Sequence, residues 1–430
     1  MLIPDKISTY LNKRASNNWK IENDYPKYFK NIIVVPSIAE SKILPQLIKS
    51  IELNDELELP NTLLLIVVNN SISSSDEVKE DNKKTREYLR KLNTKLNLSF
   101  VDAYSTGKEM DDKNGGVGLA RKIGMDLALT KFDYNSSKKN ILICTDADCI
   151  VDTNYLSEIS KEFNQNNYEA AVVNFAHDIS ADDEETKAII CYEIFLRYYV
   201  LGLNYAKSDY AFHTIGSTML CTPEAYVKVE GMNKRKAAED FYFLEKLAKI
   251  YPIGEIKSTF VHPSKRSSWR VPFGTGRSVE RYLSNERDEY QLYNPRSFIV
   301  LKNWLEVLYD RSLSQPELVS GSLNIAKNIH PSLYNFLNQQ DFENFVNKVL
   351  LKNNSQNEIE KQKHYWFDAF KTLKLIHYLR DTVYPYKNMF DAIDELLKMM
   401  ASENNIKRSS AVPDLEIQKK YLKLLRKIQS

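Results

Sequence analysis

Two carboxylates, Asp146 and Asp148, stand one residue apart in the stretch ILICTDADCIVDTNYL, where an apolar run ends. Buried charge of this kind is costly unless a cation neutralises it. Hard oxygen ligands suit Mg2+ or Mn2+, which meet proteins through one or two carboxylates together with substrate phosphates. The pair therefore points to a divalent ion on a diphosphate. A second acidic pair, Glu239 and Asp240, opens an aromatic helical pattern, and His262 ends the run STFVHP. The following SKRSSWRVPFGTGR carries Lys265, Arg266, Arg270 and Arg277 among glycines and Trp269. That composition suits a lid that closes on a diphosphate and excludes water.

The elements that must position these groups alternate. NIIVVP (31–36), TLLLIVVNN (62–70), LSFVDAY (98–104) and KNILICTDAD (139–148) read as buried strands. Between them ESKILPQLIKSIE (40–52), SISSSDEVKEDNKKTREYLRKL (71–92) and GGVGLARKIGMDLALT (115–130) read as helices. This alternation predicts an open, mostly parallel α/β sheet flanked by helices. Ligands of such sheets sit outside the carboxyl ends of the strands. The rule gathers Pro36 to Glu40, Asn69 to Ser71 and Asp146 to Asp148 into one cleft.

Downstream the pattern is mixed. YEAAVVNFAHDI (168–179) reads as a strand and ETKAIICYEIFLRYYVLGLNYA (185–206) as a long apolar helix. From about residue 286 the alternation gives way to helical periodicity, as in HYWFDAFKTLKLIHYLRD, where Trp366, Phe367, Phe370, Leu373 and Ile376 form a core stripe. The expected organisation is an N-terminal arm (1–30), an α/β domain (31–285) and an α-helical C-terminal extension (286–430). LEIQKKYLKLLRKIQS closes the chain as a basic amphipathic helix, expected to pack on its neighbours, with peripheral contact to anionic membrane as the alternative.

Composition narrows the function classes. A net charge of only +2 over 430 residues gives no field for nucleic acid. No run of about 20 apolar residues appears, so no transmembrane segment is expected. Cys144, Cys149, Cys191 and Cys221 form no C-x-x-C pair and read as reduced core thiols of a cytoplasmic protein. Gly115, Gly116 and Gly118 lack the G-x-G-x-x-G spacing of dinucleotide-binding dehydrogenases.

In this order, VVPSIAE, VVNNS, GGVGLARKIGMDLA, TDAD and GSTMLCTPEAYVKVEGM leading into AAED resemble the family 2 glycosyltransferases of GT-A type, from about Asn31 to Gly276. The resemblance implies metal-dependent, inverting transfer of a sugar from a nucleotide diphosphate to an acceptor hydroxyl of a glycan, glycoconjugate or small molecule. It implies Mn2+ or Mg2+ on Asp148, with Asp146 assisting the metal or contacting the ribose and His262 completing the shell. Asp240, with Glu239 beside it, becomes the general base. Pro36, Ser37, Glu40 and Asn69 would meet the base and ribose, Gly116 and Arg121 the nucleotide or phosphates, and Lys265 and Arg266 the diphosphate. Gly216-Ser217-Thr218 would line the acceptor side.

Two features depart from the family. Asn69-Asn70 stands where an acidic pair is usual, which leaves the donor open: a UDP-sugar first, a GDP- or dTDP-sugar otherwise. The Q-x-x-R-W signature is missing, which disfavours a chain-elongating synthase. The alternative from another class is a catalytically inactive nucleotide-sugar-binding protein acting through its helical extension. A nucleotidyltransferase would want a glycine-rich basic signature after the first strand, which PSIAESK does not supply.

Overall fold

The computed structural model describes residues 2–16, 18–266, 274–310, 315–348, 352 and 355–430. The chain forms two compact units, one of Met1–Ala181 and Thr214–Glu280 with Ser430, the other of Asp182–His213 and Arg281–Gln429.

The first unit is built on a nine-stranded sheet. Its strands are β1 (Ile21–Glu22), β2 (Asn31–Ser37), β3 (Thr62–Asn69), β4 (Asn97–Ala103), β5 (Ile141–Cys144), β6 (Ile150–Val151), β7 (Ala170–Phe175), β8 (Met219–Cys221) and β9 (Ile253–His262). Their order across the sheet is β1-β4-β3-β2-β5-β8-β7-β9-β6. The long strands pair in parallel, as the alternation predicts, and every antiparallel pairing involves a strand of two or three residues, β1, β6 or β8. β3 is buried at every position, the pattern of a strand covered on both faces.

The helices of this unit are α1 (Asp5–Arg14), α2 (Leu44–Glu52), α3 (Asp76–Lys91), α4 (Val117–Ala128) and α5 (Tyr155–Gln165). The helical unit contributes α6 (Glu184–Tyr205), after which α7 (Pro223–Lys228), α8 (Glu239–Ala248) and α9 (Thr275–Leu283) follow in chain order. α2 starts four residues later than its apolar pattern suggests. Pro45 sits in its first turn, where a missing N–H costs nothing, and the residues before it form a turn.

α4 lies flat on the sheet because Gly124 has no side chain. A Cβ there would run into Val34 Cγ1 and lie 2.8 Å from Val67 Cγ2, both on buried strands. Gly124→Ala is expected to cost about 1–3 kcal/mol by overpacking, read as a lowered urea midpoint at unchanged slope.

In the second unit α6 is joined by α10 (Arg296–Leu308), α11 (Gln315–Ile329), α12 (Pro331–Gln339), α13 (Phe342–Lys348), α14 (Gln356–Trp366), α15 (Ala369–Thr382), α16 (Met389–Met399) and α17 (Leu415–Ile428). The run HYWFDAFKTLKLIHYLRD is two helices, not one. Asp368 caps α15 by accepting from Lys371 N, so the helical phase restarts there. Phe367 and Ile376 are core, whereas Phe370 is 37% exposed, and Thr372, Leu375 and Leu379 take the inner face. The basic C-terminal helix packs within this unit: Arg426 donates to both oxygens of the buried Glu193, itself paired with the buried Arg197. Among the described residues no helix is long and apolar enough to cross a membrane. All four cysteines are buried and free.

Candidate functional site

Parallel register brings the carboxyl ends of β2, β3 and β5 side by side. Ser37 lies beside Val68, Val34 beside Cys144, and Thr145 N donates to Val34 O. The Thr145–Asp148 turn therefore emerges next to the loop that carries Glu40. Ala147 is buried in the core, which turns Asp146 and Asp148 outward, their side chains 35% and 27% exposed.

Each carboxylate meets a guanidinium. Arg121 of α4, 3% exposed, donates from Nη2 to Asp146 Oδ1 at 2.5 Å and from Nη1 to Glu239 Oε1. Arg266 donates to Asp148 Oδ2 from Nε and Nη2, at 3.2 and 3.1 Å, and from Nη2 to Glu40 Oε1. The two predicted acidic pairs are thus neighbours, bridged by one buried arginine.

α8 begins at Glu239, where the acidic pair opens the helical pattern. Ala238 takes the left-handed conformation at φ 57°, which costs an L-residue about 1–2 kcal/mol and turns the chain into the helix. Glu239 is buried; burial pushes its carboxyl up to about 7, against the opposing pull of Arg121. Asp240 is half-buried, and desolvation likewise raises its carboxyl above the usual range, again against Arg121. Its Oδ1 accepts from Phe241 N at 2.7 Å.

Several expected ligand contacts are taken by the protein itself. Arg121, expected at the nucleotide or phosphates, is consumed by two carboxylates. Gly116 makes room for protein, since a Cβ there would lie 2.9 Å from Lys236 Cα. His262, expected on the metal, has both ring nitrogens engaged: Nε2 meets Asp152 Oδ1 at 2.8 Å and Nδ1 meets Ala176 O at 2.9 Å. Among the described residues no group of three or more His, Cys, Asp or Glu side chains is arranged to hold a metal ion.

The loop after β2 is similarly built from protein contacts. Ser37 is buried, and Pro36 half-buried. Asn69 is buried, and its amide, oriented to satisfy its neighbours, donates to Ser37 O and Val67 O. Asn82 of α3 donates to Asn69 O and Asn70 Oδ1 and accepts from Ala39 N, while Asp81 accepts from Ser41 N and Oγ. Asn69 and Asn70 thus tie the β3 end to the β2 loop. Sequence reasoning passed over Asn82, although a polar residue in phase with Val78, Thr85 and Leu89 on the buried stripe of α3 signals a partner.

Lys265 stands half-exposed in the loop after β9, and Arg277 pairs with Glu280 on α9. Trp269 and Arg270, the other members of the expected basic lid, lie outside the described residues. Gly216 of the turn Gly216–Thr218 backs onto the Arg121 guanidinium.

A divalent ion can be tested against these groups by donor chemistry. Asp148 offers hard oxygens and is partly open to solvent, and its Oδ2 accepts from Arg266, whose guanidinium an ion would displace. Asp146 and His262 are committed elsewhere. The arrangement fits an ion held by one carboxylate and completed by diphosphate oxygens and water.

No protein-family model and no curated protein matches the chain. Among solved structures it is similar to S. aureus TarS 1–349 in complex with UDP-GlcNAc, at 12% identity and TM-score 0.40, over 78% of this chain and 90% of that one. It is also similar to the mannosyltransferase PcManGT from Pyrobaculum calidifontis in complex with GDP-Man and Mn2+, at 12% identity and TM-score 0.37, over 88% and 93%. Likenesses at these TM-scores transfer neither fold nor function to this chain.

Proposed function

We propose that the chain is a metal-dependent, inverting glycosyltransferase of family 2, using a nucleotide diphosphate sugar and an acceptor hydroxyl. One observation supports the reading: the strand-end turn that carries Asp146 and Asp148 and the acidic pair Glu239–Asp240 are bridged by the single guanidinium of Arg121. We assign the transfer to the sheet-bearing unit, Met1–Ala181 with Thr214–Glu280.

Asp148 would hold the Mn2+ or Mg2+ ion, which when bound supplies charge stabilisation to the departing diphosphate. Arg266 and Lys265 lie in the same loop and suit the diphosphate oxygens. Asp240 takes the acceptor proton, as direct displacement requires of a group opposite the leaving group. Asp146 is held by Arg121 beside the donor, and Glu239 is held by the same arginine beside Asp240.

A panel of UDP-, GDP- and dTDP-sugars, incubated with the protein and Mn2+ and followed for release of nucleoside diphosphate, tests this directly. Turnover of at least one donor, abolished by chelator, is the expected result. Absence of both turnover and metal-linked nucleotide binding across the panel would overturn the reading.

A further inference from the structure

We propose that Arg121 is a positioning residue that locks the donor-side carboxylate Asp146 and the acceptor-side pair Glu239–Asp240 into one unit through a single guanidinium. The proposal rests on the glycosyltransferase reading and specifies how its two halves are held in register.

The geometry is that of a built bridge. Asp146 and Glu239 lie on separate elements, the turn after β5 and the start of α8, and both accept from Arg121. Each has a candidate functional neighbour in sequence, Asp148 for the first and Asp240 for the second. A displacement of the guanidinium therefore moves both at once. The planar fork of arginine serves two carboxylates in fixed directions, which the single point charge of lysine does not reproduce.

Two glycines make room for this bridge. A Cβ at Gly216 would collide with Nη2 and lie 2.6 Å from both Cζ and Nη1 of Arg121. A Cβ at Gly118, one turn earlier on α4, would run into Arg235 O and lie 3.0 Å from Glu239 Cβ. Glycine at both positions lets the first turns of α4 close onto the turn before β8 and the start of α8.

α4 is itself anchored from behind. The buried Asp126 accepts from Tyr10 Oη at 2.8 Å, Tyr226 Oη at 2.7 Å and Ser16 N at 2.9 Å, and pairs with Lys122. A fully satisfied buried carboxylate fixes its helix. The N-terminal helix α1, through Tyr10, thus belongs to the support of Arg121.

The experiment compares Arg121→Lys, Arg121→Gln and Glu239→Gln with the native chain. It reads manganese-dependent UDP and GDP affinity by calorimetry, kcat for hydrolysis of whichever donor the panel selects, and melting temperature. Glu239→Gln is expected to lower kcat about 10-fold or more with donor affinity held within about threefold. Arg121→Gln is expected to lower both, kcat by about 10²-fold. Arg121→Lys is expected to recover most of the melting temperature and little of kcat. Native kcat in Arg121→Lys, or loss confined to melting temperature in Arg121→Gln, would overturn the proposal.

If the native chain turns over no donor, the function fails and the lock is judged by stability alone. Arg121→Gln combined with Glu239→Gln should then melt at or above Arg121→Gln, because it removes a buried unpaired carboxylate. Additive losses would reject the lock independently.

Discussion

Asp148→Ala is expected to weaken manganese-dependent nucleotide diphosphate binding by about 10²-fold while leaving the fold intact. Losing even an outer partner of a metal ligand costs about 10–100-fold in metal affinity, and losing the ligand itself should cost at least as much. The local structure tolerates the change because Arg266, which pairs with Asp148, also pairs with Glu40. Its guanidinium keeps an anchor when Asp148 is removed. The deficit should therefore appear in calorimetry with UDP or GDP plus Mn2+ and vanish in the metal-free comparison, where native and variant bind alike. Asp148→Asn, which keeps the shape and removes the charge, should behave as the alanine variant does. Equal affinity of native and Asp148→Ala in the presence of Mn2+ would place the ion elsewhere.

What could be read in advance follows from how far each effect reaches along the chain. The parallel strands were legible because burial on both faces leaves near-continuous apolar runs, as in Thr62–Asn69. β6 and β8, of two and three residues, are too short to carry a period, and they are formed by their partners. Helix starts were displaced where one residue overrides the apolar pattern: Pro45 in α2, Asp368 before α15.

The candidate site divides in the same way. Asp146 and Asp148 were legible from residue type and a position at a strand end. Their partners were not, because Arg121 reaches Glu239 only through the packing of α4 against α8, 118 residues apart in sequence. Arg121 was expected at the nucleotide or phosphates, and a buried cation between two carboxylates has no local signature. His262 shows the reverse case: its strand end was readable, but Asp152, which takes its Nε2, comes from the turn after β6.

Asp240→Asn should retain donor binding and lose transfer by about 10²-fold or more, the range of a positioned general base. In the proposed reading metal and diphosphate are held at Asp148, which this change does not touch, so manganese-dependent UDP or GDP affinity is expected within about threefold of native. The pH profile adds an independent reading. Desolvation raises the carboxyls of both Asp240 and Glu239, the latter to about 7, while Arg121 opposes it. A base works only when ionised, so kcat/KM should fall as pH drops through the raised value of Asp240, with its acid limb above the ordinary carboxylate range. Glu239→Gln removes one neighbouring negative charge from Asp240 and should move that limb to lower pH. Stability carries the opposite sign. A carboxyl whose folded pKa is raised favours the folded state most below its unfolded value, and that contribution is lost as pH rises toward about 7. Melting temperature should therefore decline across that window while transfer rises. An Asp240→Asn variant with native kcat would remove this residue as the base, whatever the pH profile shows.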